Sequence, residues 1–552
     1  MSVSRRNILK GLALGLPALQ LGPAAMALKG GMPGQQSSGD GMPGQVLPGD
    51  GMPGGPMSVM DGPFQPTRAS LRSYSIPEWF RDAKFGIWAH WGPQSAVEAG
   101  DWYARNMYMQ GQHQYDYHVK TYGHPSKFGF KDTIPNWKAE KFDPDYLMSL
   151  YKKAGAKYFM SMGVHHDNFD LWDSKFNRWN AVNMGPRKDI VGLWKQAAQK
   201  HGLKFGISDH LWITYKWFST SKGSDKDGPF AGIAYDGADP KNFEYYGRCE
   251  EVFQNLEWQE NWIPEVWKRH WFDRIRDLVD KYEPDLLYCD GHMPFEEHGL
   301  AILAHLYNKS AAKNGGITQA VYTSKRPEDS AKGTGICVFD VERGIVESIW
   351  PTPWQTDTCI GDWHYNKERV GHYKSPKTVI DLLVDIVSRN GNLMLNFPLP
   401  ASGMLDSDEL TVLDGITRWM AVNSEGIYAT RPWKVFGEGP ATDSGSAKSK
   451  EGAAFNEGKR KDMTYEDVRF TTKGKTLYAF IMGWPDNGKQ VVIRPLGSGG
   501  LSKAATIGDI QLLGHGKVEF RRNEDGLTIL LPDRQPGEHV FTFKISGEGL
   551  VS

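Results

Sequence analysis

The chain has 552 residues, is 40% apolar and carries a net charge of -1. That length exceeds one ordinary domain, and the near-zero charge removes any bulk attraction to nucleic acid or anionic lipid. Aromatic residues make up 12%, including 20 Trp, a surplus that suits both core packing and binding grooves.

In chain order, residues 1–27 read as a Tat-type signal peptide. Arg5 and Arg6 precede an apolar stretch from Gly11 to Leu21, and small residues follow at Ala25–Ala27. The stretch is too short and too broken by Gly and Pro to span a bilayer, so the expected location is the periplasm or the cell exterior. Residues 28–64 repeat GMPG at 31, 41 and 51 with almost no large apolar residues, the composition of a flexible linker. Four cysteines, at 249, 289, 337 and 359, match no zinc module and leave disulfide pairing open.

From there to about residue 425 helical and strand-like segments alternate. KFGIWAHWG (84–92) is a short strand ending in His90 and Trp91. In DPDYLMSLYKKAGA, Asp143 is placed to cap, Pro144 to open and Gly155 to stop a helix. It leads into KYFMSMGVHHDNF, a strand ending in His165 and His166. DIVGLWKQAAQKHG then LKFGIS repeat the unit and deliver Asp209 and His210. After an irregular insertion at roughly 213–260, Trp267, Trp271, Ile275, Leu278 and Tyr282 share one helical face. That helix leads into YEPDLLYCDG, an apolar run ending in Asp290.

Such alternation predicts an α/β fold of the (β/α)8-like, TIM-type class over residues 65–425. An open doubly wound sheet is the alternative, without a glycine-rich phosphate loop to support it. Residues 426–552 show short alternating strands, with EDG as a hairpin turn, and predict a C-terminal β-sandwich.

A barrel gathers the residues just past its strands at one rim. This brings together His90, Trp91, His165, His166, Asp209, His210 and Asp290. Among them Asp290 is the only carboxylate delivered by an uninterrupted apolar run.

Six blocks, WFRDAKFGIWAHWGPQSA, DWYARNMY, VHHDNFDLWDS, PDLLYCDG, PWQTDTCIGDWHY and SRNGNLMLNFPL, resemble in order the motifs of the retaining α-L-fucosidases, glycoside hydrolase family 29. The resemblance implies release of terminal fucose from a fucosylated oligo- or polysaccharide, with no cofactor. It also implies a covalent intermediate on Asp290. Retaining glycosidases place a nucleophile and an acid/base about 5–5.5 Å apart. Glu342 and Glu347 are the acid/base candidates; Glu342 is preferred because Asp340 and Arg343 flank it in sequence and tune its proton affinity in opposite directions.

The resemblance assigns His90, His165 and His166 to sugar hydroxyls and Trp102 to the sugar face. Asp101 stands where many members carry glutamate, Asp209 and His210 where tyrosine is common, and Lys325 where others have arginine. Trp88, Trp91, Trp102 and Trp354 are available as an apolar wall for the methyl group of fucose. A histidine-bound metal lacks any accompanying ligand motif, so none is expected. A hydrolase of a related α-L-galactoside and a non-catalytic sugar-binding barrel are the rival readings.

Overall fold

The computed structural model describes residues 57–551 apart from 250, 257–259, 261, 331–334, 443–453 and 487. The signal segment and most of the expected linker, residues 1–56, lie outside the described residues. Eight parallel strands close a barrel in sequential order: β1 Phe85–Ala89, β2 Tyr158–Val164, β3 Lys204–Asp209, β4 Leu286–Cys289, β5 Val321–Ser324, β6 Val338–Glu342, β7 Trp354–Cys359 and β8 Gly391–Asn396. Nearly every strand residue is buried, as expected where helices cover the outside and side chains fill the inside.

Helices α1 Pro144–Lys153, α2 Ile190–His201, α3 Glu265–Tyr282, α4 Glu297–Lys313 and α5 Pro376–Ser388 precede β2, β3, β4, β5 and β8. The Asp143 side chain accepts from Tyr146 N at 2.9 Å and Pro144 opens α1. The five α3 residues expected on one face are all buried. Among the described residues no α-helix joins β5 to β6 or β6 to β7, so the barrel is not evenly wound.

The end of the expected linker is packed, not flexible. Phe64 is buried against Tyr307 of α4, and its N–H donates to Asn308 Oδ1 at 2.9 Å. One large aromatic anchor in an otherwise small-residue stretch overrides composition.

Helix α6 Ser407–Asn423 leads to a β-sandwich. Its larger antiparallel sheet has the order β14-β13-β17-β11-β10-β9, where β9 is Arg431–Glu438, β10 Val468–Lys473, β11 Thr476–Ile481, β13 Ile510–Leu512, β14 Gly516–Lys517 and β17 Phe541–Ile545. The smaller has the order β12-β16-β15, with β12 Gln490–Ile493, β15 Phe520–Arg522 and β16 Leu527–Leu530. Strand alternation divides β11 between two cores: Leu477, Ala479 and Ile481 face the small sheet, while Tyr478 and Phe480 join the barrel's core. Asp385 of α5 ties the two domains through buried ion pairs to Arg469 and Arg460. All four cysteines are free and buried, and no helix among the described residues is long and apolar enough to cross a membrane.

Candidate active site

The inward face of the barrel is set by the two-residue period of each strand. On β4, Tyr288 points inward, its hydroxyl donating to Asp357 Oδ2 at 3.1 Å, and so does Asp290, one step past the strand end. The turn beyond it needs Gly291, at φ 114, where a Cβ would press on Trp212. The Gly291 carbonyl accepts from Lys325 N at 2.7 Å, which fixes the start of the β5 loop beside the carboxylate.

Lys325 Nζ lies 2.9 Å from Asp290 Oδ1, 2.6 Å from Glu342 Oε2 and 4.0 Å from Asp357 Oδ2. The first two legs together cap the separation of the Asp290 and Glu342 oxygens at about 5.5 Å, a limit compatible with the roughly 5–5.5 Å of a retaining pair. Asp290, Lys325 and Glu342 each keep about a fifth of their side chain exposed, so the pair opens to solvent.

The two carboxyls differ in proton affinity. Burial pushes Asp290 up, but Lys325 and then His210 and His166 outweigh it and hold the carboxyl well below its usual range. Burial raises Glu342 to about 7; Lys325 opposes this, while Asp290 and Asp357 add to it. One layer below, burial and the neighbouring Asp357 push Asp340 well above its ordinary value.

The sequence-based reason for Glu342 therefore needs correction, although its position fits. Arg343 turns away and pairs with Glu457 at 3.0 Å, and neither it nor Asp340 is a leading influence on Glu342. Glu347 is exposed, and its backbone carbonyl is held by Arg389.

Imidazoles form the other wall. His166 Nε2 and His210 Nδ1 lie 3.4 and 3.2 Å from Asp290 Oδ2. His165 Nδ1 meets Gln94 Nε2 at 2.9 Å, and His90 is fixed through its N–H to Asn396 Oδ1 at 2.8 Å. Burial holds His90, His165 and His210 below their ordinary proton affinity, which keeps them neutral donors and acceptors for hydroxyls. The loop carrying His165 and His166 is anchored from α3, where Arg274 donates to Asn168 Oδ1 at 2.6 Å and pairs with Asp170.

Trp88 floors this cluster, its ring 4.0 Å from that of His90 and 4.7 Å from that of Tyr288. Half-buried Trp102 sits edge-on to His166.

Three expected residues face elsewhere. Trp91 packs outward against Trp137 and Phe142 and donates to the Pro400 carbonyl at 2.9 Å. Asp209 faces α3, accepting from Trp271 Nε1 at 2.7 Å. Trp354 donates to the Arg389 carbonyl in the barrel wall. Each lies one residue out of phase with an inward neighbour: His90 for Trp91, His210 for Asp209, Gln355 for Trp354. Asp101 is a support, its Oδ1 accepting from His364 N at 2.7 Å.

His364, which the sequence reading does not single out, joins this cluster. Its ring centroid lies 4.6 Å from that of His165 and 5.6 Å from that of His90, and burial lowers its proton affinity to about 3. The signal was present: Gly361-Asp362-Trp363-His364 echoes the Gly100-Asp101-Trp102 segment it packs against.

His90, His165 and His210, and separately His166, His210 and Asp290, offer ligand atoms within 4.8 Å of one another.

The chain is similar to known proteins along most of its length. Residues 57–425 match the family model described as α-L-fucosidase, and residues 460–546 match that of the α-L-fucosidase C-terminal domain. The chain is 26% identical to the tissue α-L-fucosidase of Bos taurus, covering 89% of this chain and 93% of the relative, and 26% identical to that of Homo sapiens, covering 88% and 92%. Among solved structures, a Thermotoga maritima α-fucosidase in complex with fucose superposes with TM-score 0.65 at 24% identity, over 87% of this chain and 100% of that one. The same enzyme with a mechanism-based inhibitor gives TM-score 0.66 at 24% identity, over 87% and 99%.

Proposed function

This chain belongs to the α-L-fucosidase family, and from that premise we propose that it releases terminal α-L-fucose from fucosylated oligo- or polysaccharides with retention of configuration. The observation that carries the residue roles is the sharing of Lys325 by Asp290 and Glu342, with their oxygens within about 5.5 Å.

In the first step an Asp290 oxygen bonds to the anomeric carbon as the glycosidic C–O bond breaks. The bonding pair leaves with the glycosidic oxygen, which takes the proton of Glu342. In the second step Glu342, now a carboxylate, removes a proton from water as the water oxygen bonds to the anomeric carbon, and the Asp290 ester bond breaks. Lys325 stabilises the departing carboxylate, which assists this second displacement. The imidazoles of His90, His165, His166 and His210 bind ring hydroxyls, and Trp88 and Trp102 supply apolar surface for the methyl-bearing face.

Trapping with a 2-fluoro fucosyl fluoride followed by peptide mapping tests the assignment. A fucosyl adduct on the peptide containing Asp290 is expected; an adduct on another residue, or none with a turning-over enzyme, overturns it. The twin-arginine sequence at Arg5 and Arg6 supports export to the periplasm or beyond. Fractionation of cells carrying an Arg5→Lys, Arg6→Lys variant, with activity retained inside, is the corresponding check.

A further inference from the structure

Glu342 is the last residue of β6, and the chain turns immediately beyond it through Arg343, at a left-handed φ of 46. A non-glycine residue in that region is strained and persists only where its surroundings hold it. Among the described residues no helix follows β6; residues 343–353 return directly to β7. An acid on an unsupported turn would lose its aim, so what supports this one matters.

The support comes from the C-terminal domain. A short segment that lies between β9 and β10 in the sequence crosses to the barrel rim. Phe455 N donates to the Glu342 carbonyl at 2.8 Å, and Glu457 N to the Arg343 carbonyl at 3.0 Å. The Asn456 side chain clasps Ile345 from both sides, accepting from its N–H at 3.0 Å and donating to its carbonyl at 2.9 Å. The Glu457 carboxylate accepts from Arg343 Nε at 3.0 Å, Thr358 Oγ1 of β7 at 2.7 Å and Lys374 Nζ at 3.1 Å. The turn after Glu342, more than 110 residues upstream of the fastening segment, is thus fastened at 342, 343 and 345 and tied to β7.

We propose that Asn456 and Glu457 are positioning residues for the acid/base Glu342, so that the C-terminal domain completes the catalytic apparatus of the barrel. This rests on the role given to Glu342 above. Proton donation demands hydrogen-bond reach to the leaving oxygen, and a small misplacement costs rate even when the acid is present. Asp290 is held instead by β4, Lys325, His166 and His210. Loosening the clasp therefore impairs protonation of the leaving group and spares nucleophilic attack.

The test compares Asn456→Ala, Glu457→Gln and Glu342→Ala with the wild type on two substrates, a fucosyl disaccharide and 2,4-dinitrophenyl α-L-fucoside. The disaccharide's alkoxide must be protonated to leave; dinitrophenolate leaves unaided. Taking the ratio of kcat/KM values within one preparation cancels any loss of folded enzyme. For Asn456→Ala and Glu457→Gln the disaccharide-to-aryl ratio is expected to fall about 10- to 100-fold, within the range that general acid catalysis supplies, and in the same direction as in Glu342→Ala. An unchanged ratio in both clasp variants, with a fallen ratio in Glu342→Ala, overturns the proposal. An unchanged ratio in Glu342→Ala itself locates the failure in the assignment of the acid, not in the clasp.

Discussion

Lys325 Nζ lies 2.9 Å from Asp290 Oδ1, so the residue given the nucleophile's role is held ionised by a cation just past the end of the next strand of the barrel. Removing the carboxylate leaves no group to form the covalent intermediate. Asp290→Gly is expected to lower kcat on an aryl fucoside by at least about 1,000-fold, roughly 4 kcal/mol of transition-state stabilisation. Steady-state kinetics alongside a sugar-binding titration checks it; binding retained with turnover lost is the expected pattern.

Because Lys325 draws both carboxyls downward, its charge sets the pH profile. Asp290 must be ionised and Glu342 protonated, so activity rises as pH passes the low Asp290 value and falls as it passes about 7 for Glu342. Lys325→Met removes the lowering influence from both groups. Both limbs of the kcat/KM profile are then expected to move to higher pH, while Glu342→Gln loses the upper limb altogether. A profile in Lys325→Met that keeps its acid limb in place would contradict this coupling.

The contrast between Asp209 and His210 separates support from chemistry at adjacent positions. Asp209→Asn leaves the Leu211 and Trp271 donors facing one acceptor oxygen instead of two, at a cost of about 1–3 kcal/mol in stability. Its activity per folded molecule should change little. His210→Ala should fold normally and lose kcat/KM by about 10-fold or more, since a charge-assisted contact to the reacting carboxylate is worth roughly 1.5–3 kcal/mol. Denaturant unfolding and kinetics measured on the two variants together decide the matter.

At the domain junction, Asp385 is buried among Arg389, Arg460 and Arg469. Burial opposes ionisation, yet the three guanidinium groups hold this carboxyl well below its ordinary value. Asp385→Asn strands buried positive charge and is expected to cost about 3–5 kcal/mol. A depressed folded-state value means the contribution is fully present above the unfolded value near 3.9 and is lost as pH falls below it. The difference between variant and wild type should therefore shrink in unfolding experiments carried toward pH 2.

The barrel and sandwich were legible because their signals are local. The Asp143 cap, the α3 face from Trp267 to Tyr282 and the apolar run before Asp290 are each decided by neighbours a few residues away. The motif blocks likewise carried His165, His166 and Asp290 to the site. What stayed hidden was phase and distance. A parallel strand buried on both faces has no polar alternation to say which residues point inward, so Trp91 and Asp209 read as well as His90 and His210.

By itself, then, the sequence determined the order of elements and the strand end that presents Asp290, since periodicity and capping are short-range physics. Only the closed barrel decided that Lys325 would join Asp290 to Glu342, and that His364 would meet His165. Only the packing of two domains brought Glu457 onto the turn beyond Glu342. Those relationships span tens to hundreds of residues, and closure of the sheet, not any local preference, sets them.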